Sequence, residues 1–223
     1  MNKMKTKKKI IISIILVCTI ALITSGLFIF IKDFSHFESK VYSKDTNLTT
    51  ELNVLVVCYS RNGNTEAMAK VIAEFYNADL RFIESEFYDR DFNGWYKAGT
   101  DAKNYTETPI TPETIEMAEY DLIFLGSPIW LFRPAPPLWR FVRNNDFTGK
   151  NVVLFNTFNS RFKQENIDKF SQLLASNGGT LIDHLYIRRG RAVPFQKDGY
   201  DVIDETKILL NERSAKYKTK TIL

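Results

Sequence analysis

The chain has 223 residues, a formal charge of +4 and two cysteines. The excess charge belongs to one end: residues 1–51 hold eight Lys against four acids, whereas residues 52–223 hold 22 Lys and Arg against 22 Asp and Glu. The larger part is neutral, long enough to bury one core, and offers no basic surface for nucleic acid.

The first nine residues include five lysines (Lys3, Lys5, Lys7, Lys8, Lys9), and Ile10 to Ile31 follows without a charged side chain. At ~1.5 Å per residue this run covers about 33 Å, against a hydrocarbon core of ~30 Å. It predicts a transmembrane helix or signal anchor. A cleaved signal peptide has a shorter apolar region, and Thr24-Ser25-Gly26 is a poor cleavage site lying inside this one. The residues before Cys18 (Ile15-Leu16-Val17) lack the small side chains of a lipoprotein signal. The lysines place residues 1–9 in the cytoplasm and the rest of the chain beyond the membrane. Residues 32–51 are polar and read as a linker, leaving 52–223 as the folded domain.

Within the domain, the continuous apolar run Asn53–Cys58 predicts a strand buried on both faces, with a weaker second strand at Leu80–Ile83 and further strands at Asp121–Gly126, Asn151–Asn156 and Thr180–Ile187. Amphipathic stretches predict helices at Asn64–Tyr76, Pro137–Asn144, Gln164–Ser176 and Val202–Arg213. The long connection between the second and third strands has room for a turn or more of helix at Asp91–Asn104 and at Pro112–Glu119. Alternation of strand and helix implies right-handed crossovers and one parallel sheet covered on both faces.

The first strand runs directly into Ser60-Arg61-Asn62-Gly63-Asn64-Thr65, and a helix begins at once. Hydroxyls and amides at 60, 62, 64 and 65 can donate to phosphate oxygens. Gly63 lets the backbone curl, and the helix start adds unpaired N–H groups and a positive dipole end. Arg61 could add charge or point to solvent. The hexapeptide lacks the Lys-Ser/Thr of a triphosphate loop and the spacing of a dinucleotide fingerprint. A polar strand-to-helix turn capped by Ser60 or Asn62 is the plainer alternative. After the third strand, Gly126-Ser127-Pro128-Ile129-Trp130 turns at Pro128 and presents an indole, a plane on which a flat ring could stack.

These residues resemble the flavodoxin family. Val54-Leu55-Val56-Val57-Cys58-Tyr59-Ser60-Arg61-Asn62-Gly63-Asn64-Thr65 is similar to its first strand and phosphate loop, usually Ser/Thr-x-Thr-Gly-Asn-Thr. Asn62 departs from the usual hydroxyl residue and leaves an amide there. Tyr120 to Trp130 resembles the third strand and its flavin-contacting loop, and Phe147-Thr148-Gly149-Lys150 also fits. The resemblance implies an α/β, doubly wound, five-stranded parallel sheet in the order 2-1-3-4-5, preceded here by one transmembrane helix. It implies flavin mononucleotide (FMN) as the cofactor. It implies a phosphate site at Ser60, Arg61, Asn62, Gly63, Asn64 and Thr65, and ring contacts from Ser127, Pro128, Ile129, Trp130 and Leu131. A pyrimidine-side loop would carry Thr157, Phe158 and Asn159. No side chain stands out as a catalytic acid or base.

The implied function is electron transfer or flavin-dependent reduction, with a redox partner protein, reduced nicotinamide or a quinone as donor or acceptor. A flavodoxin-fold binding module that has lost its flavin is the alternative. The neutral domain departs from the acidic surfaces of diffusing flavodoxins. Three features stand outside this reading. Phe87, Tyr88, Phe92, Trp95 and Tyr96 suggest either a lid or loop packing, Arg188-Arg189-Gly190-Arg191 either an anion site or exposed charge. His36 and His184 have no neighbours in metal-ligand spacing.

Overall fold

The computed structural model describes residues 2–48, 51–192 and 195–217. The chain divides into two units, Met1–Ser35 and His36–Leu223. The first is a helix, α1 (Asn2–Phe34). Its segment Lys9–Leu27, with mean hydropathy 2.7, is long and apolar enough to cross a membrane by length and composition.

The second unit contains, in order, β1 (Val54–Tyr59), α2 (Asn64–Tyr76), β2 (Asp79–Ile83), α3 (Phe92–Asn104), β3 (Leu122–Trp130), β4 (Arg133–Pro134), α4 (Pro136–Asn144), β5 (Asn151–Phe158), α5 (Gln164–Ser176), β6 (Thr180–Arg188) and α6 (Gly199–Arg213). The parallel strands lie in the order β2-β1-β3-β5-β6, and β4 folds back antiparallel on β3. Without that two-residue return this is the expected 2-1-3-4-5 sheet.

Alternation along the central strands produces two cores. Leu55, Val57 and Tyr59 of β1 point one way with Ile123, Leu125 and Leu154, under Leu138, Phe141 and Val142 of α4 and Ile167, Phe170 and Leu174 of α5. Val54, Val56 and Cys58 point the other way with Phe124 and Phe155, under Met68, Val71 and Ile72 of α2 and Val202 and Leu210 of α6. All six β1 residues are buried, which is why the run reads as continuously apolar. Burial, with the Glu66 carboxylate nearby, pushes the Cys58 thiol well up, so it sits in the core as a protonated, inert side chain.

The long connection between β2 and β3 resolves unevenly. Asp91 caps α3 by accepting from the Gly94 amide at 2.7 Å, and 13 residues are helical there. Residues 112–119, where a turn or more of helix was expected, form no helix and close only one hydrogen-bonded turn, from the Tyr120 amide to the Met117 carbonyl at 3.2 Å. Their polar groups are satisfied elsewhere: the Ile115 amide donates to Asn145 Oδ1 at 2.8 Å, and Asn145 Nδ2 donates to the Glu113 carbonyl at 2.9 Å. A buried Asn145 thus takes hydrogen bonds that a helix would have made internally.

Residues 36–48 have no regular structure but lie along the domain. Phe37 and Tyr42 pack against the α2/α6 core. Tyr42 donates to the Ala78 carbonyl at 2.7 Å, Lys44 pairs with Asp79 at 2.8 Å, and Asn77 brackets the segment's end with bonds to Asp45 and Leu48.

Candidate functional site

β1 and β3 end side by side, with Cys58 level with Gly126, and β5 follows with Asn156 level with Ser127. Three loops leave this carboxyl edge, which is where open α/β sheets bind ligands.

The first is 60–63. Gly63 sits in the left-handed region (φ +81°) and starts α2, with no side chain capping the helix. First-turn amides that lack a side-chain acceptor suit an anion. The Ser60 hydroxyl is buried without a hydrogen-bond partner among the described residues, a costly arrangement that a phosphate oxygen would relieve. The Thr65 side chain is buried, its hydroxyl 2.7 Å from that of Thr157, so the phosphate loop is tied to β5. Asn62 and Asn64 are half-buried beside it. These residues fit a phosphate monoester. Arg61 turns elsewhere: its guanidinium donates to the carbonyls of Tyr88, Asp89 and Asp91 at 2.7–3.3 Å. It thereby holds the segment before α3 against the loop.

The second loop is the turn between β3 and β4. Ser127 is fully buried; its hydroxyl accepts from the Ala135 amide at 3.1 Å. Pro128, Ile129 and Trp130 are half-buried, and Leu131 is 47% exposed. Trp130 meets Tyr59 and Tyr88 edge to face at centroid distances of 5.6 and 5.1 Å. Burial pushes both phenols up. Leu131 and Phe132 have φ of +42° and +74°, the conformation of a two-residue hairpin turn that usually recruits Asn or Gly. The Phe132 carbonyl accepts from the Lys163 amide and Asn166 Nδ2, both at 3.0 Å, so the start of α5 grips the strained turn.

The third loop follows β5. Thr157 sets its hydroxyl against that of Thr65 in the first loop. Phe158 is buried against Phe162 and Tyr186. Asn159 accepts from Arg189 at 3.4 Å, and Ser160 from Arg191 at 2.9 Å. These two arginines therefore brace the loop, a role the sequence left undecided.

Sequence reading also missed a buried polar chain below the ends of β3 and β5. Asn156 Nδ2 donates to the Ser127 carbonyl at 2.6 Å, and Asn156 Oδ1 lies 2.8 Å from His184 Nε2. Because the Asn156 amide points its NH₂ at a carbonyl, its oxygen is an acceptor and His184 carries its proton on Nε2. Burial holds the imidazole pKa down at about 4. Nothing in the sequence signalled this contact, because the partner of His184 arrives from a neighbouring strand. The aromatic insert divides: Tyr88 is buried and donates to Asp101 at 3.0 Å, whereas Phe87, Phe92, Trp95 and Tyr96 are exposed.

An uncapped helix start beside a buried, unpartnered Ser60 hydroxyl, at the switch point of a doubly wound parallel sheet, fits a mononucleotide-binding α/β protein. A family model described as Flavodoxin matches residues 53–184, and the chain belongs to the flavodoxin family. No curated protein sequence matches it. Among solved structures, a flavoprotein from Lactobacillus acidophilus NCFM, crystallised in complex with FMN, is 23% identical. It aligns over 60% of this chain and 93% of its own, with a TM-score of 0.50. A protein from Bacteroides eggerthii DSM 20697, assigned as a flavoprotein, is 17% identical over 74% of this chain and 99% of its own (TM-score 0.54). A similar assignment from Bacteroides uniformis ATCC 8492 is 21% identical over 70% and 97% (TM-score 0.53). At these identities the likeness is one of fold.

Proposed function

We propose that this chain is an FMN-binding electron-transfer protein, tethered to a membrane by α1. The observation that carries the reading is the buried, unpartnered Ser60 hydroxyl beside an uncapped helix start, at the carboxyl edge of a flavodoxin-family sheet. Ser60, Asn62, Asn64, Thr65 and the amides that follow Gly63 would hold the phosphate. Ser127 to Leu131 would border one side of the ring, and Thr157 to Asn159 would border another. When bound, the flavin supplies the electron-accepting and electron-donating chemistry. The chain's own residues bind it, orient it and shield it from water. No acid or base is assigned. The mononucleotide is preferred to the dinucleotide, since no second Gly-rich phosphate loop for an adenosine half follows a strand among the described residues.

Release of the cofactor by acid from the purified full chain, followed by chromatography, tests this. Stoichiometric FMN is expected. Stoichiometric dinucleotide would overturn the mononucleotide reading, and no flavin after reconstitution would overturn it in favour of a flavin-free binding module.

The tether and the neutral domain favour a fixed partner or a lipid-soluble acceptor such as a quinone over a diffusing shuttle role. Charge bias on insertion puts residues 1–9 in the cytoplasm and the domain outside. An impermeant protease added to intact wall-stripped cells should degrade the domain; protection until the membrane is broken would reverse the topology.

A further inference from the structure

The segment preceding the sheet reaches the phosphate loop itself. The Phe37 amide donates to the Asn62 carbonyl at 3.0 Å. The Phe37 carbonyl lies so close over Gly63 that a methyl group there would overlap it. The Phe37 ring occupies a second place that only glycine leaves open: a methyl at Gly199, the first residue of α6, would overlap the ring. Tyr200 closes that socket edge to face at 5.1 Å. Around it, Lys70 Nζ donates to the Ser39 carbonyl at 3.3 Å while pairing with Glu66 at 2.7 Å, and His36 Nε2 lies 4.0 Å from Glu66. Glu66 and Lys70 belong to the first two turns of α2, the helix whose start faces the cradle. One residue thus bridges the phosphate loop and α6, and its neighbours clasp the helix between them.

We propose that Phe37 is a positioning residue of the cofactor site: seated between Gly63 and Gly199, it fixes the curl of residues 62–64 and so presets the amides that receive the flavin phosphate. The inference rests on the FMN reading for its ligand. The physical reason is preorganisation. A loop with a left-handed glycine has many alternative conformations, and a backbone held in its binding geometry before the ligand arrives spares the ordering cost on binding. The segment between the apolar helix and the sheet is therefore part of the binding apparatus, beyond its role as a spacer.

The test uses the full chain in detergent with three substitutions. Phe37→Ala removes the ring. Gly199→Ala displaces the ring from the opposite side without touching the loop, at a first-turn helix position where alanine itself costs nothing. Lys44→Ala, at the far end of the segment, is the control. Both Phe37→Ala and Gly199→Ala should weaken FMN binding about tenfold and leave riboflavin, which lacks the phosphate, unchanged. In flavin-free protein the amides of 61–65 should exchange with deuterium faster in both variants, and Phe37→Leu should recover part of the protection. Lys44→Ala should match the parent in every assay. Equal weakening of FMN and riboflavin, or FMN affinity and exchange rates that match the parent, would overturn the proposal. If the parent itself bound no FMN, the FMN reading would fall alone. The exchange comparison would then still decide whether Phe37 sets the loop.

Discussion

The phosphate end of the proposed site and its ring end are held in different ways. At the phosphate end the one left-handed residue is Gly63, which adopts that geometry without strain. Its surroundings are tied down three times, by Phe37, by the Thr65–Thr157 hydroxyl pair and by Arg61 on the carbonyls of 88–91. At the ring end two bulky residues, Leu131 and Phe132, hold positive φ and are kept there by α5 through the Phe132 carbonyl. One end reaches its geometry by removing a side chain; the other keeps its side chains and stores strain. Strain retained at a binding turn is a common mark of function, and on the proposed site Leu131 and Phe132 are kept for what their side chains touch.

The largest effect should come from breaking the phosphate end. Ser60→Ala combined with Asn64→Ala removes two donors to a charged acceptor, each contributing roughly 1.5–3 kcal/mol. FMN should bind at least about 100-fold more weakly, whereas riboflavin should bind as before. Isothermal titration with both ligands checks this. If the two flavins lost affinity together, the loop would be acting through folding, and the contrast between the two ends would lose its chemical basis.

The two ends also differed in how far sequence exposed them. The candidate phosphate loop could be picked out in sequence because it is local, a short polar run between a strand and a helix, although Arg61 within it turns to the carbonyls of Tyr88, Asp89 and Asp91. The five parallel strands were legible from apolar runs for the same reason, whereas their order, β2-β1-β3-β5-β6, followed only from the family resemblance. The ring end was legible only in outline. Nothing near Leu131 or Phe132 announces a left-handed turn, since tertiary contacts from Lys163 and Asn166 enforce it. The Asn156–His184 pair joins residues 28 apart through a strand register. Residues 36–48 read as a linker because only Phe37 and Tyr42 of that stretch enter the core, too few to make a period. The helix expected at 112–119 failed because Asn145, far along the chain, captures its polar groups.

The second expected effect concerns the support below the ring end. His184 is neutral in the folded protein, with its pKa lowered to about 4 chiefly by burial. Asp183 and Arg213 act on it in opposite directions, and Phe162 and Tyr186 pack on its ring. In the unfolded chain an ordinary imidazole takes its proton near pH 6.5. Between those values the unfolded state binds the extra proton, so the stabilisation is fully present above pH 6.5 and is lost as pH falls toward 4. Chemical unfolding followed by tryptophan fluorescence at pH 7 and pH 4.5 should show the parent losing on the order of 2 kcal/mol more than His184→Gln. The variant keeps a neutral donor for Asn156 and lacks the titration. Parallel losses in both proteins would mean that other groups govern the acid response.

The smallest effect tests the strain itself. Leu131 is 47% exposed at φ +42°, so replacing it loses little packing, while asparagine tolerates the left-handed region far better than leucine. Leu131→Asn should therefore stabilise the flavin-free protein, by about 0.5–1 kcal/mol. That corresponds to a rise of a few degrees at most in Tm for a domain of this size. The same substitution should weaken FMN binding if Leu131 borders the ring, because the apolar contact is gone. Opposite signs, a more stable protein and a looser cofactor, are what strain held for a ligand produces. Calorimetry without flavin and titration with FMN measure the two quantities separately. A Tm that stayed level or fell would show that α5 holds the turn without strain, and the two ends of the site would then be built alike.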